Sequence, residues 1–189
     1  MTKPAPSHQT LSFKVQNMSE FSFTLIFTLP EKGQNPAEWV EALGAQGCDD
    51  ALVGVGVTGR IALNFIREEQ DAKQAVVSAI KDVKRIIPGV ALVEVMPDLV
   101  GLTDIAKLLG FSRQYMRKVM VSREAFPQPV HDGKTAIWHL ESVLRWMRDA
   151  GISKVPLPLL ELSAITRQCN LQRELAFLDP NVQKQLGQL

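Results

Sequence analysis

Residues 54–65 read GVGVTGRIALNF, and the fold of the first half turns on the residues after their glycines. The first six match G-x-G-x-x-G. In the dinucleotide-binding version a helix begins at those glycines and aims its N-terminus at a pyrophosphate. Here Ile61, Leu63 and Phe65 alternate with Ala62 and Asn64. Alternation is the period of a strand, so the required helix is missing. The stretch instead predicts two strands, 51–57 and 60–66, joined tightly at Thr58-Gly59. The glycines then serve the turn and a close helix contact.

Working outward, Phe21, Phe23, Leu25, Phe27 and Leu29 alternate with Ser22, Thr24, Ile26 and Thr28, a strand with one apolar face that Pro30 and Gly33 end. Asn35 is a natural N-cap and Pro36 suits the first helical position, so a helix is expected to about Ala45, burying Trp39, Val40 and Leu43. A second helix is expected over Gln70–Arg85 with Ala72, Val76, Ala79, Ile80 and Val83 on one face. Pro88-Gly89 breaks it, and Val90 to Met96 forms a last strand. Strand, helix, strand, strand, helix, strand is the split βαβ plan. The expectation for residues 20–98 is a ferredoxin-like sandwich, two helices on one face of an antiparallel sheet. Residues 1–19, with Pro4 and Pro6, are expected to form a loose arm. RNA-binding domains of this plan need stacking aromatics on the third strand. Arg60 to Phe65 offers one.

The chain has 189 residues, 46% hydrophobic and 22% charged, which suits an ordinary globular protein of one to two domains. No apolar run approaches the roughly 20 residues of a membrane span. Met1 to Thr10 holds no apolar leader core. Cys48 and Cys169 are single and give no zinc spacing, so a cytoplasmic, reducing setting is expected, without metal or cofactor. The 21 bases and 20 acids are unevenly placed. Residues 1–98 carry nine bases and twelve acids; residues 99–151 carry eight bases and five acids. Nucleic acid would be drawn to the middle segment.

From Leu99 the rhythm changes to short helices. Leu102 to Met120, LTDIAKLLGFSRQYMRKVM, reads as a helix-turn-helix. Thr103 is expected to cap the first helix, which buries Ile105, Ala106 and Leu109. Ala106 is small where the second helix crosses, and Gly110 lets the chain turn. Ser112 caps the second helix, in which Met116 and Val119 face inward. Arg113, Gln114, Arg117 and Lys118 are left outside, with Tyr115 at the margin. Arg can fork to guanine and Gln to adenine in a major groove, while Lys118 and Arg123 suit phosphate. Phe126 to Trp138 is too broken for helix and suits a small hairpin. Trp138 and Trp146 are expected in the core, His131 on the surface, and His139 near the cap of a third helix over 141–149.

Residues 99–150 resemble the MerR-like, AlpA/excisionase-type DNA-binding domain. The matching residues are Leu102-Thr103, Ala106, Leu109-Gly110, Ser112-Arg113, then Phe126-Pro127-x-Pro129-Val130, then Trp138 and the helix from Glu141 to Trp146. The resemblance implies a winged helix-turn-helix. Arg113, Gln114 and Arg117 would lie in the major groove, and Lys134 and Thr135 on the wing.

Catalysis is not expected. Histidine is confined to His8, His131 and His139, and the carboxylate pairs Asp49-Asp50 and Glu68-Glu69 lie at element ends where water solvates charge. Pro156 and Pro158 are read as a hinge. Leu159 to Leu178 follows as a long amphipathic helix striped by Leu159, Leu162, Ile165, Cys169, Gln172 and Ala176, with no evident partner within its own chain. Residues 152–189 are therefore expected to dimerise. The functional expectation is a sequence-specific regulator of bacterial or phage type that binds double-stranded DNA as a homodimer. A protein or small-molecule effector at the N-terminal domain is conceivable by analogy. The alternative is an interaction adaptor or an excisionase-like architectural factor.

Overall fold

A computed structural model describes residues 18–123, 125–152 and 154–189. The arm expected over 1–19 lies almost wholly outside the described residues. Strand β1 spans Ser19–Thr28, a 3-10 turn Pro36–Trp39 and helix α1 Val40–Ala45. Strands β2 (Ala51–Gly54) and β3 (Arg60–Glu69), helix α2 (Ala72–Ile86) and strand β4 (Ala91–Met96) come next. All four strands pair antiparallel in the order β2-β3-β1-β4, so each helical crossover spans one intervening strand. The glycine-rich stretch is a hairpin: Ala51 pairs with Phe65 and Gly54 with Ala62. Its loop is longer than expected, because β2 stops at Gly54.

Alternation sorts the sheet into two faces. Phe21, Phe23, Leu25, Phe27, Ile61, Leu63 and Phe65 point into a core that α2 covers with Ala72, Ala75, Val76, Ala79 and Val83. Phe23 and Phe65 stack inside it at 5.3 Å. The single aromatic of the third strand that could have met a base is thus turned inward, and Thr24, Asn64 and Ile66 occupy the open face. Val40, expected in the core, is 40% exposed and Trp39 only half buried, while Leu43 is fully buried. The 3-10 turn before α1 advances the chain by three residues per turn, which shifts the buried stripe off Val40.

Arg67 occupies an inward slot of β3, 8% exposed. Its Nε and Nη2 donate to the two oxygens of Asp50 at 2.6 and 3.0 Å, its Nη1 to Asp82 (3.1 Å) and Ser78 (2.9 Å), and Nη2 also to the Gly47 carbonyl (3.1 Å). Burial opposes the charge, but the hydrogen bonds and charges of Asp50 and Asp82 outweigh it and raise the Arg67 pKa. Asp50, read from sequence as a solvated end-of-element acid, is therefore half of a structural fork.

A second hydrophobic cluster is built from β5 (Leu99–Val100), α3 (Leu102–Leu108), α4 (Arg113–Ser122), β6 (Trp138–His139) and α5 (Leu140–Asp149). Ile105, Met116, Leu140, Val143, Leu144 and Met147 are fully buried in it. Trp138 packs edge-on to Phe126 and donates to the Pro127 carbonyl at 2.9 Å.

Helix α6 runs over Leu157–Leu175, and α7 over Pro180–Leu186. The continuous helix to Leu178 is interrupted because Asp179 caps a new helix with Pro180 at its first turn. Pro156 likewise is the N-cap residue of α6, and the expected hinge is a helix start. The helix does have a partner within its own chain. Leu162, Ile165 and Cys169 pack on the sheet core, and Leu159 and Leu160 on the second cluster. A third helix thus joins the two expected on the sheet, where it meets α2, β4 and β1. Asn170 Oδ1 accepts from Val95 N at 2.8 Å and Nδ2 donates to Val95 O at 2.9 Å, while Thr166 donates to Pro97 O at 2.6 Å. These bonds occupy the outer edge of β4. Asp98, 1% exposed, accepts from Asn170 and contacts His139 Nδ1 at 2.7 Å. His139 is the residue at the α5 cap, yet its side chain serves Asp98 rather than the helix. Among the described residues no helix is long and apolar enough to cross a membrane.

Candidate nucleic-acid interface

Helix α3 begins one residue before Thr103. Gly101 is its N-cap, and Asp104 Oδ2 accepts from Gly101 N at 3.1 Å. Thr103, expected as the cap, lies half-buried in the first turn, because Asp104 already reaches back to the turn start. Gly110 adopts a φ of 70°, the left-handed conformation that ends α3 and redirects the chain. Ser112 then caps α4 as the sequence suggests: its Oγ accepts from Tyr115 N at 3.1 Å. The amides of Arg113 and Gln114 have no carbonyl four residues back within α4 and are left at its tip.

Met116 and Val119 anchor the inner side of α4, with Met120 half-buried beside them. At 100° per residue, Arg113, Arg117, Gln114 and Lys118 follow one another over an arc of roughly 140° on the other side. All four are exposed. Tyr115 borders the arc at 40% exposure, its ring 4.8 Å from that of Phe111. Val121 lies inside the arc and is 76% exposed. The sequence reading passed over it, although an apolar residue amid four polar ones was visible at that spacing.

Charge pairing separates these arginines from most of the others, Arg60 being likewise unpaired among the described residues. Arg67, Arg85, Arg145, Arg148, Arg167 and Arg173 each hold a carboxylate. Lys107, Arg113, Arg117, Lys118 and Arg123 have no acidic partner among the described residues. Like charges at i and i+4, such as Arg113 and Arg117, weaken a helix slightly. The arrangement therefore contributes nothing to the stability of α4 that would explain it.

No family model, curated protein or solved structure matches the chain.

The segment after α4 forms less of a hairpin than expected. Its ladder is a single bridge between His131 and Ile137, and Trp138 pairs instead with Val100. Two prolines, Pro127 and Pro129, lack the N–H groups a longer ladder would use. Asp132, Gly133, Lys134 and Thr135 are exposed at the tip. Thr135 comes to the start of α3, its Cγ2 3.9 Å from where a Cβ on Gly101 would stand. The structure thus groups Arg113, Gln114, Arg117 and Lys118 on one helix face and sets Thr135 beside the helix before it. Arg123 is exposed just past the end of α4.

Proposed function

We propose that the chain is a sequence-specific DNA-binding protein of the transcriptional-regulator type, with α4 as the helix that enters the major groove. The observation that carries this reading is the arc of Arg113, Gln114, Arg117 and Lys118, exposed and without acidic partners among the described residues, on a capped, core-anchored helix. Arg113 and Arg117 have the donors for guanine and Gln114 those for adenine; Val121 suits a thymine methyl. Lys118, Arg123 and Lys134 suit phosphates, as does the open first turn of α4. In this reading residues 99–151 are a winged helix-turn-helix similar to the MerR/AlpA-excisionase type. The sheet with its two crossovers is then a ferredoxin-like sandwich with α6 added. A module this small buries limited surface on DNA, so a dimer on a palindromic site supplies the missing specificity.

Selection of bound sequences from a random DNA pool tests the reading directly. The expected result is a short recurring motif, lost in the Arg113→Ala, Arg117→Ala double variant while the fold persists. Full affinity and unchanged site preference in that variant would remove α4 from the groove. Salt-sensitive binding without a motif would favour an architectural role, and no binding at moderate salt an interaction adaptor.

A further inference from the structure

The end of α6 and all of α7 carry large apolar side chains that nothing among the described residues covers. Leu171, Leu175, Phe177, Leu178, Val182 and Leu186 are each 45 to 74% exposed, and α7 buries none of its residues. Leu171 and Leu175 share a face of α6 and Val182 and Leu186 a face of α7, with Phe177 and Leu178 in the turn between them; together they make an exposed apolar ridge. Beside this ridge lies an open cavity of about 830 Å³ between β4, the end of α2 and α6. Val90, Leu92, Cys169, Leu171 and Leu175 line it.

We propose that ridge and groove together are the contact between two copies of this chain, the ridge of each seated in the groove of the other. The contact keeps only the end of the 159–178 helix face expected from sequence and extends past it, because Leu159, Leu160, Leu162 and Ile165 are already spent on the chain's own sheet and second cluster.

Three observations favour a second copy as the occupant. Residues 168–189 hold two bases, Arg173 and Lys184, and two acids, Glu174 and Asp179. Two such surfaces meet without net repulsion, whereas a nucleic acid or an anionic bilayer finds no excess positive charge there. Leu171 and Leu175 belong to both ridge and groove, so a two-fold axis beside them satisfies both at once, as an isologous interface requires. At roughly 100 Å² for each half-exposed large side chain, the ridge offers on the order of 600–700 Å² per copy, near the roughly 800 Å² of a standard interface.

The proposal supplies the dimer that the DNA reading calls for. Its test uses no DNA, so the two stand or fall separately. Sedimentation of the full chain between about 1 and 100 µM is expected to show a dimer. Leu178→Glu with Val182→Glu is expected to weaken association more than about tenfold while melting temperature and circular dichroism are kept, since both positions are exposed. Cys169 gives a second readout from inside the groove. Its alkylation is expected to slow several-fold as concentration drives pairing, and this dependence disappears in the double variant. Cys48, 1% exposed with its thiol raised by burial and the nearby Asp82 charge to about 11, stays silent. A monomeric wild type over that range overturns the proposal. So does a dimer that the double variant leaves intact, or an alkylation rate independent of concentration. A monomer that cosediments with phosphatidylcholine–phosphatidylserine vesicles overturns it in favour of lipid.

Discussion

Asn170 takes the place of a neighbouring strand for Val95, accepting from its N–H at 2.8 Å and donating to its carbonyl at 2.9 Å. Strand β4 lies at the end of the sheet, where unpaired backbone groups invite another chain. One amide side chain answers two of them, and Thr166 answers the carbonyl of Pro97 one helical turn earlier.

Asn170→Leu keeps the volume, removes both partners of Val95 and also takes a donor from buried Asp98. Leaving a buried N–H and C=O unmet costs about 2–4 kcal/mol in total. Urea unfolding should report that loss, and hydrogen exchange at the Val95 amide should accelerate by more than the global loss predicts.

Arg67→Ala strands two carboxylates and a carbonyl that the guanidinium now holds. A loss of about 3–5 kcal/mol is expected in equilibrium unfolding. Combining Arg67→Met with Asp50→Asn and Asp82→Asn should recover a large share, because no uncompensated charge then remains. Equal instability of the single and triple variants would contradict the fork's role.

Asp71 caps α2, accepting from Gln74 N at 2.8 Å, and this bond above all lowers its pKa from the ordinary 3.8. A carboxyl lowered by folding stabilises the folded state above its unfolded value and loses that contribution as pH falls through the folded one. Asp71→Ala should therefore lower the melting temperature at pH 7, with the gap to wild type closing as pH drops below about 4. Asp71→Asn, a cap without a charge, should be less affected at pH 7, and its smaller gap to wild type should change with pH in the same direction, because it too lacks the titrating carboxyl.

Ser112 separates helix capping from DNA contact. Ser112→Ala is expected to cost about 1 kcal/mol of stability. Ser112→Asp preserves the cap but sets a negative charge where phosphate is expected, so stability should hold while DNA affinity falls. Lys118→Ala should flatten the salt dependence of binding by about one unit in log–log slope. An unchanged slope would take Lys118 off the backbone.

The parts of the fold legible in the sequence are those with a period. Alternation from Phe21 to Leu29 and from Ile61 to Phe65 identified β1 and the hairpin; Ala72, Val76, Ala79 and Val83 identified α2. Local cap chemistry placed Ser112 at the start of α4 and left its polar arc outward. What escaped depends on contacts between distant residues. Asn170 and Val95 are 75 residues apart, and an asparagine within an amphipathic helix announces no strand. Arg67 filled an inward slot of β3 with a charge, and that break in alternation near Asp50 was a readable sign of the fork. Asp179-Pro180 likewise marked the restart of the last helix.

Leu160 and Leu162 sit two residues apart on α6 and enter different cores. Both cores therefore depend on the same stretch of polypeptide. Until it docks, the sheet lacks a wall and the second cluster a side. Maturation of the two halves is consequently tied to a single docking event, and a chain deprived of residues 157–175 would yield two unfinished pieces rather than one sound one.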